Sequence, residues 1–497
     1  MYTLYIKMKK EGPYMIRFFK ENIQHTLHSR LGKIQCLMLF INTLFFIFIA
    51  YSLHSYFTPL LLIIFILVCL CLFLLCVYLT LKNKKSTLLI HLLMSIVFII
   101  AMMTIYKTNH FVSSITHSQE YETIQLVTLK ESSLTQESSL KDLTMGSYID
   151  DHEGYQHAVD ILNKYQKENF HTHQYDDFQK EYKDFLNKKI DFFILSPLTT
   201  AYLEEINPDY SKQIKVLYQE QYPIQEIVND KIDILKEPFT VYLGGVDLSG
   251  NKDIRGAGRG DVNILLTVNP QTKKSQLQVI PRDLYCYNPV KKKSSKLSYS
   301  GKWGGVQSSI ASIEHEFGIK INYYAKINFE GLIELIDELG GIDAYSHYDY
   351  TVNGFHYKKG INHLNGTQAL AMARERKSLP LNERSRGLQQ MEIIKGIMKK
   401  VSQNPSFDNL KTILSTIENN FVTNLPEDQF IDAFQLFLDM KDSLLHLKAY
   451  SMDGQYKWHD DEIIKGYHFY YFYPSHQEKE KVRNRINDII SQQKREQ

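Results

Sequence analysis

The sequence predicts an α/β protein in which three transmembrane helices precede two extracytoplasmic α/β units, the second with a mixed central sheet. Three charge-free apolar runs lie within the first 107 residues, and short strand-like runs alternate with amphipathic helical segments over the rest of the chain. We therefore divide the chain into a basic tail (1–33), the membrane helices (34–107), a first outer unit (108–237) and a second outer unit (238–497).

Length and composition exclude several classes of protein. The chain has 497 residues, enough for two or three domains. Lys and Arg number 57 against 55 Asp and Glu, so no global basic excess points to nucleic acid as a partner. A mean hydropathy of −0.27 excludes both a disordered chain and a transporter that lies wholly within the membrane.

The three apolar runs predict membrane-spanning helices. They cover residues 34–57, 59–81 and 87–106 and contain no Lys, Arg, Asp or Glu. A helix of about 20 apolar residues crosses the hydrocarbon core of a bilayer. Buried helices of a soluble protein are the first alternative, but three successive helices without a charged residue would be unexpected there. A cleaved signal peptide is the second alternative, but it would not be followed by two further apolar runs.

Basic flanks predict the orientation of these spans. Residues 1–33 carry seven Lys or Arg and two acidic residues, and the turn at 82–85 holds three Lys. Because basic flanks stay on the cytoplasmic side, we expect a multi-pass protein of the cell membrane with a cytoplasmic N terminus. The bulk of the chain is then extracytoplasmic.

Cysteine usage agrees with an exported region that has no disulfide. Cys286 is the one Cys outside the predicted spans. Stability must therefore come from a large hydrophobic core. A catalytic role for Cys286 is disfavoured because no base lies near it in the sequence.

The first outer unit begins with a polar segment. Residues 113–140 are rich in Ser, Thr, Glu and Gln, which is typical of a juxtamembrane stalk or of a poorly periodic strand region. Helical apolar spacing at 157–165 and 178–186 and a buried-strand pattern at 189–195 then predict a small α/β unit. The sequence of this unit contains no motif that indicates catalysis or ligand binding.

The second outer unit mixes strands and helices in near alternation, which favours an α/β sandwich. Strands are predicted at 240–243, 262–268, 276–280, 342–345 and 467–473. Helices are predicted at 306–317, 329–339, 367–373, 388–401 and 428–438, with a charged helix at the C-terminal end.

Arginines and a few carboxylates gather at the predicted ends of these elements. Arginine forks bind phosphate oxygens bidentately, and a neighbouring carboxylate suits a divalent metal that bridges phosphate oxygens. By spacing alone, surface salt bridges are the plainer interpretation. The residues are Arg259 and Asp261 before one strand, Arg282 and Asp283 after another, and Arg374, Arg376 and Arg386 at helix ends.

The order of these motifs resembles the LytR-CpsA-Psr family over about residues 240–497. The three spans and the additional outer unit resemble the capsule-associated CpsA/Wzg branch found in Gram-positive cocci. The motifs are Gly-Val-Asp247, Gly-Arg259-Gly-Asp261-Val-Asn-Ile-Leu, Val-Ile-Pro-Arg282-Asp283, the run 328–341, and Leu-Asn-Gly-Thr-Gln-Ala-Leu-Ala-Met-Ala-Arg374-Glu-Arg376 followed by Arg386 and Gln389-Gln390.

The resemblance implies a membrane-anchored glycopolymer transferase. Its donor would be a polyprenyl pyrophosphate-linked glycan outside the membrane, and its acceptor a hydroxyl of peptidoglycan, usually on muramic acid. The reaction would be a phosphotransfer that releases polyprenyl phosphate. The cargo would be capsular polysaccharide or a related anionic polymer, with other proteins of capsule synthesis as candidate partners.

The resemblance also implies roles for single residues. An apolar stripe at 332–339 is either core or the lining of a cavity for the lipid tail. Asp261 would be the most plausible proton acceptor, and Asp253 could replace Asp247 because the loop between Asp247 and Asp261 is longer than the family pattern. The catalytic set would be Asp261, Arg282 and Arg386, the pyrophosphate-binding set Arg259, Arg374, Arg376 and Gln390, and the Mg²⁺ ligands Asp247 and Asp261.

Two other functions remain open at this stage. The protein could regulate capsule synthesis by sensing the lipid-linked polymer, although a tail of 33 residues is too short for a DNA-binding fold. It could also be a phosphatase that hydrolyses the lipid pyrophosphate, with water as the acceptor.

Overall fold

The computed structural model describes residues 23–24, 26, 28–53, 59–82, 84–116, 119–165, 170–225, 232–248, 253–403 and 406–492. The chain divides into two compact units, residues 1–113 and 114–497. The predicted basic tail lies outside the described residues up to residue 22.

The first unit contains three long apolar helices. They are α1 (Arg30–Leu53), α2 (Pro59–Leu81) and α3 (Lys85–Thr116). Each is long and apolar enough to cross a membrane, which confirms the three predicted spans by length and composition. Helix α3 continues beyond the predicted end at residue 106 because polar residues end an apolar run without ending a helix.

These helices carry their apolar side chains outwards. Leu37, Phe40 and Ile47 are 59, 61 and 57% exposed. By contrast, Asn42 and Ser95 are buried, and the Ser95 hydroxyl donates to Asn42 Oδ1 at 2.7 Å. Polar contacts between helices with an apolar outer surface are the arrangement that a bilayer favours.

The second unit begins with a mixed five-stranded sheet of order β3-β2-β4-β1-β5. Strand β1 pairs antiparallel with β4 and β5, whereas β2 is parallel to β3 and β4. The elements are β1 (Tyr121–Leu129), β2 (Thr144–Tyr148), α4 (His152–Tyr165), β3 (His171–Tyr175), α5 (Phe178–Leu186), β4 (Phe192–Leu195), α6 (Pro197–Ile206) and β5 (Ile214–Pro223).

The stalk interpretation of residues 113–140 is therefore wrong, because β1 is an interior strand. The strand interpretation fits this segment. Ile124, Leu126 and Val127 are all buried, so β1 packs on both faces and lacks a simple polar–apolar alternation.

The second sheet is also mixed, as predicted, and has the order β16-β11-β6-β7-β8-β17. Strand β11 is parallel to β6 and β17 is parallel to β8, while the other pairs are antiparallel. Its strands are β6 (Phe239–Asp247), β7 (Arg259–Asn269), β8 (Lys274–Val279), β11 (Tyr323–Asn328), β16 (Phe421–Thr423) and β17 (Lys448–Tyr450).

Helices cover both faces of this sheet. Apolar residues of α8 and α14 pack on one face, and those of α11 and α13 pack on the other. The helices are α7 (Leu297–Ser300), α8 (Gly305–Phe317), α9 (Phe329–Glu338), α10 (Gly366–Arg374), α11 (Asn382–Gln403), α12 (Phe407–Thr416), α13 (Phe430–Leu445) and α14 (His476–Ile490). Among the described residues, four strand pairs lie outside the two sheets: β9 (Tyr285–Asn288) with β10 (Lys293–Lys296), β12 (Ile342–Ser346) with β15 (Gly360–Leu364), β13 (Tyr350–Val352) with β14 (Phe355–Tyr357), and β18 (Gly454–Asp460) with β19 (His468–Pro474).

Local sequence signals fix the position of α9. Asn328 caps its first turn by accepting a hydrogen bond from the Gly331 N–H at 2.8 Å. Gly340 and Gly341 end it with φ of +69° and +85°, a conformation that favours glycine. The apolar stripe of α9 is thereby held beneath the second sheet.

One hydrophobic core joins the two outer regions. Phe193 and Tyr202 of the first sheet region pack in the same buried cluster as Trp303 near α8 and Tyr471 of β19. The predicted boundary at 237/238 separates the two sheets, and both belong to one compact unit.

Candidate active site

A cavity of about 520 Å³ lies among the strands β6, β7 and β11 and the helices α9, α11 and α12. Leu332 and Leu335 of the α9 stripe line it, whereas Ile336 is buried in the core. The stripe therefore serves both as core and as cavity wall. Its other apolar lining residues include Leu370, Ile393, Ile394, Ile397, Met398, Leu410, Ile413 and Leu414.

Arginines from four elements line the same cavity. Strand β7, the segment after β8, the end of α10 and the start of α11 each contribute. The structure thus brings together all the site residues proposed from the sequence except Asp247 and its alternative, Asp253. They are Arg259, Asp261, Arg282, Arg374, Arg376, Arg386 and Gln390.

Asp261 lies at the centre of the arginine cluster. The Arg282 guanidinium donates from Nη1 to Asp261 Oδ1 at 2.7 Å. Burial by itself would raise the pKa of Asp261, but the guanidiniums of Arg282, Arg259 and Arg386 outweigh it and lower that pKa below its usual range. A carboxylate held ionised in this way is a weak base, so its surroundings favour holding cations over accepting a proton.

Glu383 joins two further arginines. Arg376 Nη1 donates to Glu383 Oε1 at 3.1 Å, and Arg386 pairs with Glu383 Oε2. Arg386 is buried, and burial lowers its pKa while the Glu383 carboxylate opposes that effect. Gln390, one helical turn further along, donates to the Ala373 carbonyl at 3.0 Å and ties α11 to α10.

Two buried N–H groups in the cluster have no hydrogen-bond acceptor in the described structure. They belong to Arg259 Nε and Arg282 Nε. Asp283 Oδ1 lies 3.8 Å from Arg282 Nε, beyond hydrogen-bonding distance. A buried donor without an acceptor costs free energy, so this site is arranged for a ligand that supplies acceptors. Phosphate oxygens are the natural partners of guanidinium groups.

Residues 202–488 match the model of the LytR_cpsA_psr family, which is more than half of the chain. The chain belongs to this family. The match begins within α6, so it includes part of the first outer region as well as the second sheet.

Several curated relatives have similar sequences. TagU of Bacillus anthracis, named a polyisoprenyl-teichoic acid–peptidoglycan teichoic acid transferase, is 32% identical over 261 residues, which are 51% of this chain and 85% of that protein. TagU of Bacillus subtilis strain 168, of the same name, is 33% identical over 220 residues, which are 44% of this chain and 69% of that protein.

Solved structures also match the family region. The crystal structure of B. subtilis TagU is 28% identical, covers 52% of this chain and 99% of its own, and gives a TM-score of 0.42. Protein gbs0355 from Streptococcus agalactiae is 26% identical, covers 52% of this chain and 89% of its own, and gives a TM-score of 0.46.

Asp247 of this family member lies beside the cavity lining. It ends β6 opposite Arg259 of β7, and its Oδ2 lies 3.9 Å from Arg259 Nη2. Asp253, the alternative ligand, accepts from Arg255 Nη2 at 2.5 Å, and hydrogen bonding to Arg255 lowers its pKa to about 2. The Asp253 carboxylate is thus already paired with the Arg255 guanidinium.

The carboxylates of Asp247 and Asp261 are the candidate ligands for a metal ion in this site. Among the described residues, no group of three or more His, Cys, Asp or Glu is placed to hold a metal ion. Mg²⁺ is usually held by one or two carboxylates together with substrate phosphates and waters. Asp247 and Asp261 could supply such carboxylates, with the remaining oxygens coming from the substrate.

Glu204 is a charged residue of this site that the sequence analysis missed. It lies on α6 of the first outer region, with Oε1 2.6 Å from Lys302 Nζ and Oε2 3.8 Å from Arg259 Nη1. Burial lowers the pKa of Lys302, and the Glu204 carboxylate counteracts that effect. No local motif marks Glu204, because its partners are far away in the sequence.

We expect Glu204→Gln to slow the proposed transfer reaction about tenfold, because Arg259 loses one of the two carboxylates within 4 Å of its guanidinium and small displacements of a catalytic group are costly. The measurement is the transfer rate of the full-length protein at saturating donor. Glu131→Gln is the matched control, since Glu131 forms an ion pair with Lys188 at the surface. Equal rates for Glu204→Gln and wild type would contradict a positioning role.

Proposed function

We propose that this protein is a membrane-anchored glycopolymer transferase that moves a glycan phosphate from a polyprenyl pyrophosphate carrier to peptidoglycan. The observation that carries the proposal is a single cavity with an apolar wall and a cluster of five arginines. Such a cavity suits a ligand with an isoprenoid tail and a pyrophosphate head. The names of the TagU relatives, which are polymer transferases to peptidoglycan, support the same reaction.

The reaction that we propose is a phosphotransfer. An acceptor hydroxyl oxygen attacks the phosphorus that carries the glycan, and the bond from this phosphorus to the bridging oxygen breaks. Polyprenyl phosphate leaves, and the hydroxyl proton passes to the leaving phosphate oxygen or to solvent. Arg259, Arg282 and Arg386 would stabilise the charge that spreads over the phosphoryl oxygens, which is the main catalytic requirement of phosphoryl transfer.

We propose Mg²⁺ as the cofactor, held by Asp261 and Asp247 together with substrate phosphate. When bound, a magnesium ion neutralises negative charge on the phosphate oxygens. The ionised state of Asp261 supports this role over that of a general base.

The cargo that we propose is capsular polysaccharide or a related anionic wall polymer. Teichoic acid in the relatives' names supports an anionic cargo. The basic flanks of the predicted spans support a cytoplasmic N terminus and an outer position for residues 114–497 at the cell membrane of a Gram-positive host. Other proteins of capsule synthesis are further proposed partners.

The test is a transfer assay with the full-length protein in detergent. A synthetic polyprenyl pyrophosphate glycan and Mg²⁺ are supplied with or without peptidoglycan, and both released polyprenyl phosphate and peptidoglycan-bound glycan are measured. We expect both products only when peptidoglycan is present, and neither after the metal is chelated. Release without peptidoglycan would instead indicate a phosphatase. Binding without release would indicate a sensor.

A further inference from the structure

A second, larger cleft lies next to the arginine cluster. Its volume is about 1020 Å³. Arg376 lines both this cleft and the apolar cavity, so the two spaces meet at that side chain. Glu383, which accepts a hydrogen bond from Arg376, lines the cleft as well.

One wall of the cleft is an aromatic strand pair. Strands β18 and β19 pair antiparallel with Tyr456 opposite Phe472, Trp458 opposite Tyr470, and Asp460 opposite His468. Side chains alternate between the two faces of a strand. Tyr471 therefore takes the opposite face and is buried in the core, and Phe469, which also lines the cleft, is buried in the same core cluster.

The rings on the cleft side form a stacked row. The rings of Trp458 and His468 are 5.7 Å apart with an interplanar angle of 6°, and those of Tyr456 and Tyr470 are 5.1 Å apart at 18°. Trp458 and Tyr470 lie 5.3 Å from each other and connect the two pairs. These four residues (Tyr456, Trp458, His468 and Tyr470), which we call the aromatic row, all line the cleft.

Two rings of the aromatic row are open to solvent. Trp458 is 62% exposed and Tyr470 is 44% exposed, and Leu381, which also lines the cleft, is 52% exposed. The second Trp of the chain, Trp303, is buried. Large apolar side chains gathered on an open cleft mark a binding surface, because exposing them to water has no benefit for stability.

The chemistry of this cleft matches a carbohydrate chain. The C–H faces of pyranose rings stack on aromatic rings, as other apolar groups do, while hydroxyl groups need hydrogen-bond donors and acceptors. Arg384 and Asp453 supply these at the exposed rim of the cleft, and Lys296 and the buried Asp283 supply them further inside. Arg384 Nη1 lies 3.5 Å from Asp453 Oδ1, and the two side chains are 46 and 76% exposed, so this pair is accessible to a ligand.

We infer that the cleft binds the acceptor glycan strand of peptidoglycan and that the aromatic row is its stacking platform. The inference rests on the proposed function. In phosphoryl transfer the attacking and leaving oxygens lie roughly in line across the phosphorus. The leaving polyprenyl phosphate has its tail in the apolar cavity, so the attacking hydroxyl must approach from the far side of the arginine cluster. The cleft adjoins the cavity at Arg376 and provides that approach.

The in-line requirement also favours the acceptor over the glycan of the donor. The donor glycan is attached to the same phosphorus through an oxygen that is neither attacking nor leaving. It therefore projects sideways from the reaction axis. A strand bound along the aromatic row meets the phosphorus along that axis.

The test uses the intrinsic fluorescence of the full-length protein in detergent. Trp458 is the exposed one of the two Trp residues, so a ligand on the aromatic row changes its emission while Trp303 stays buried. The probe is a soluble peptidoglycan glycan fragment without lipid. We expect saturable quenching or a spectral shift in wild type and in the transfer-deficient variant Arg282→Ala, since binding of the glycan does not require the arginine cluster.

Substitutions then locate the site. Tyr470→Ala is expected to weaken binding of the fragment about tenfold, as for an aromatic contact at the centre of an interface. In transfer assays, Trp458→Ala is expected to raise the KM for peptidoglycan to a similar extent with little change in kcat or in donor binding. Trp458→Phe should restore most of the acceptor affinity. Tyr345→Ala is the matched control, because Tyr345 is a partly exposed aromatic residue on β12 outside the cleft.

Three results would overturn the inference. One is a wild-type protein whose fluorescence does not respond to the fragment. Another is a response of Trp458 to the lipid-linked glycan donor but not to the peptidoglycan fragment, which would assign the cleft to the donor. The third is an unchanged acceptor KM in Trp458→Ala with a lowered melting temperature, which would make the aromatic row structural. Fragment binding without any transfer activity would refute the proposed function and leave glycan binding at the cleft intact.

Discussion

Replacing Arg282 by alanine is expected to abolish polymer transfer, with a loss of about a thousandfold in rate, because arginines that stabilise a phosphoryl transition state contribute effects of that size. Arg282 Nη1 donates to Asp261 Oδ1 at 2.7 Å, and the buried Arg282 Nε–H has no acceptor in the described structure. The change therefore removes a donor to the phosphate and a partner of Asp261 together. The measurement is the initial rate of glycan attachment to peptidoglycan by the full-length protein.

Two companion variants separate charge from geometry at this position. Arg282→Lys keeps the positive charge but loses the planar fork, so we expect at least about a tenfold loss of rate. Lys212→Ala is the control for loss of a cation, since Lys212 pairs with Asp209 at the surface and lines neither the apolar cavity nor the neighbouring cleft. If Arg282→Ala remains folded and retains a rate close to that of wild type, the proposed role of this arginine is wrong.

Replacing Glu120 by alanine is expected to lower the stability of the outer unit by about 3 to 5 kcal/mol, because it leaves a buried ammonium group without its counter-charge. Glu120 immediately precedes β1 and pairs with Lys326 of β11, and both side chains are buried. Its other carboxylate oxygen accepts from the Val306 N–H at 2.7 Å, and Lys326 also donates to the Gly256 carbonyl at 3.1 Å. One carboxylate thereby links β1 to the second sheet and to α8.

The measurement is the melting temperature of the full-length protein in detergent, which should fall by about 5 °C for a unit of this size. A matched control tests the cause. In Glu120→Gln with Lys326→Met, no charge remains buried, so at least half of the lost stability should return. Glu237→Ala, at a position where the carboxylate accepts the exposed Asp233 N–H, should have little effect. A melting temperature for Glu120→Ala within about 1 °C of wild type would contradict this account.

Local patterns in the sequence were sufficient for many of the helices. The helix predicted at 178–186 is α5 (Phe178–Leu186), and the one predicted at 306–317 is α8 (Gly305–Phe317). In both, apolar residues recur at helical spacing because one face packs on a core. The three membrane helices follow from uninterrupted apolar runs for a similarly local reason.

The central strand β11 (Tyr323–Asn328) was not predicted, and its burial explains why. Lys326 is among its most buried residues, whereas Ala325 and Ile327 line the apolar cavity. A charged residue inside and apolar residues on a cavity wall reverse the usual pattern of a strand. The partner of the predicted aromatic strand, β18, was missed as well, because its polar residues alternate with exposed rings.

The residues of the candidate site also fall into two groups, those that the sequence identified and those that only the structure revealed. Arg259, Arg282, Arg374, Arg376 and Arg386 could be named from the sequence because family motifs mark them, and their individual roles remain predictions. Glu204 carries no such mark. Its position beside Arg259 depends on the packing of the first outer region against the second, which involves contacts between residues far apart in the chain.

The sequence by itself determined the membrane helices, the alternation of strands and helices, the family resemblance and the identity of the clustered arginines. Each of these follows from the spacing of residue types over short stretches of chain. Only the tertiary structure decided that the arginines share a cavity with an apolar wall, that Glu120 neutralises Lys326, and that an aromatic row borders the cleft at Arg376. Burial and charge pairing depend on which distant segments meet, and the free energy of a buried charge is set by those neighbours.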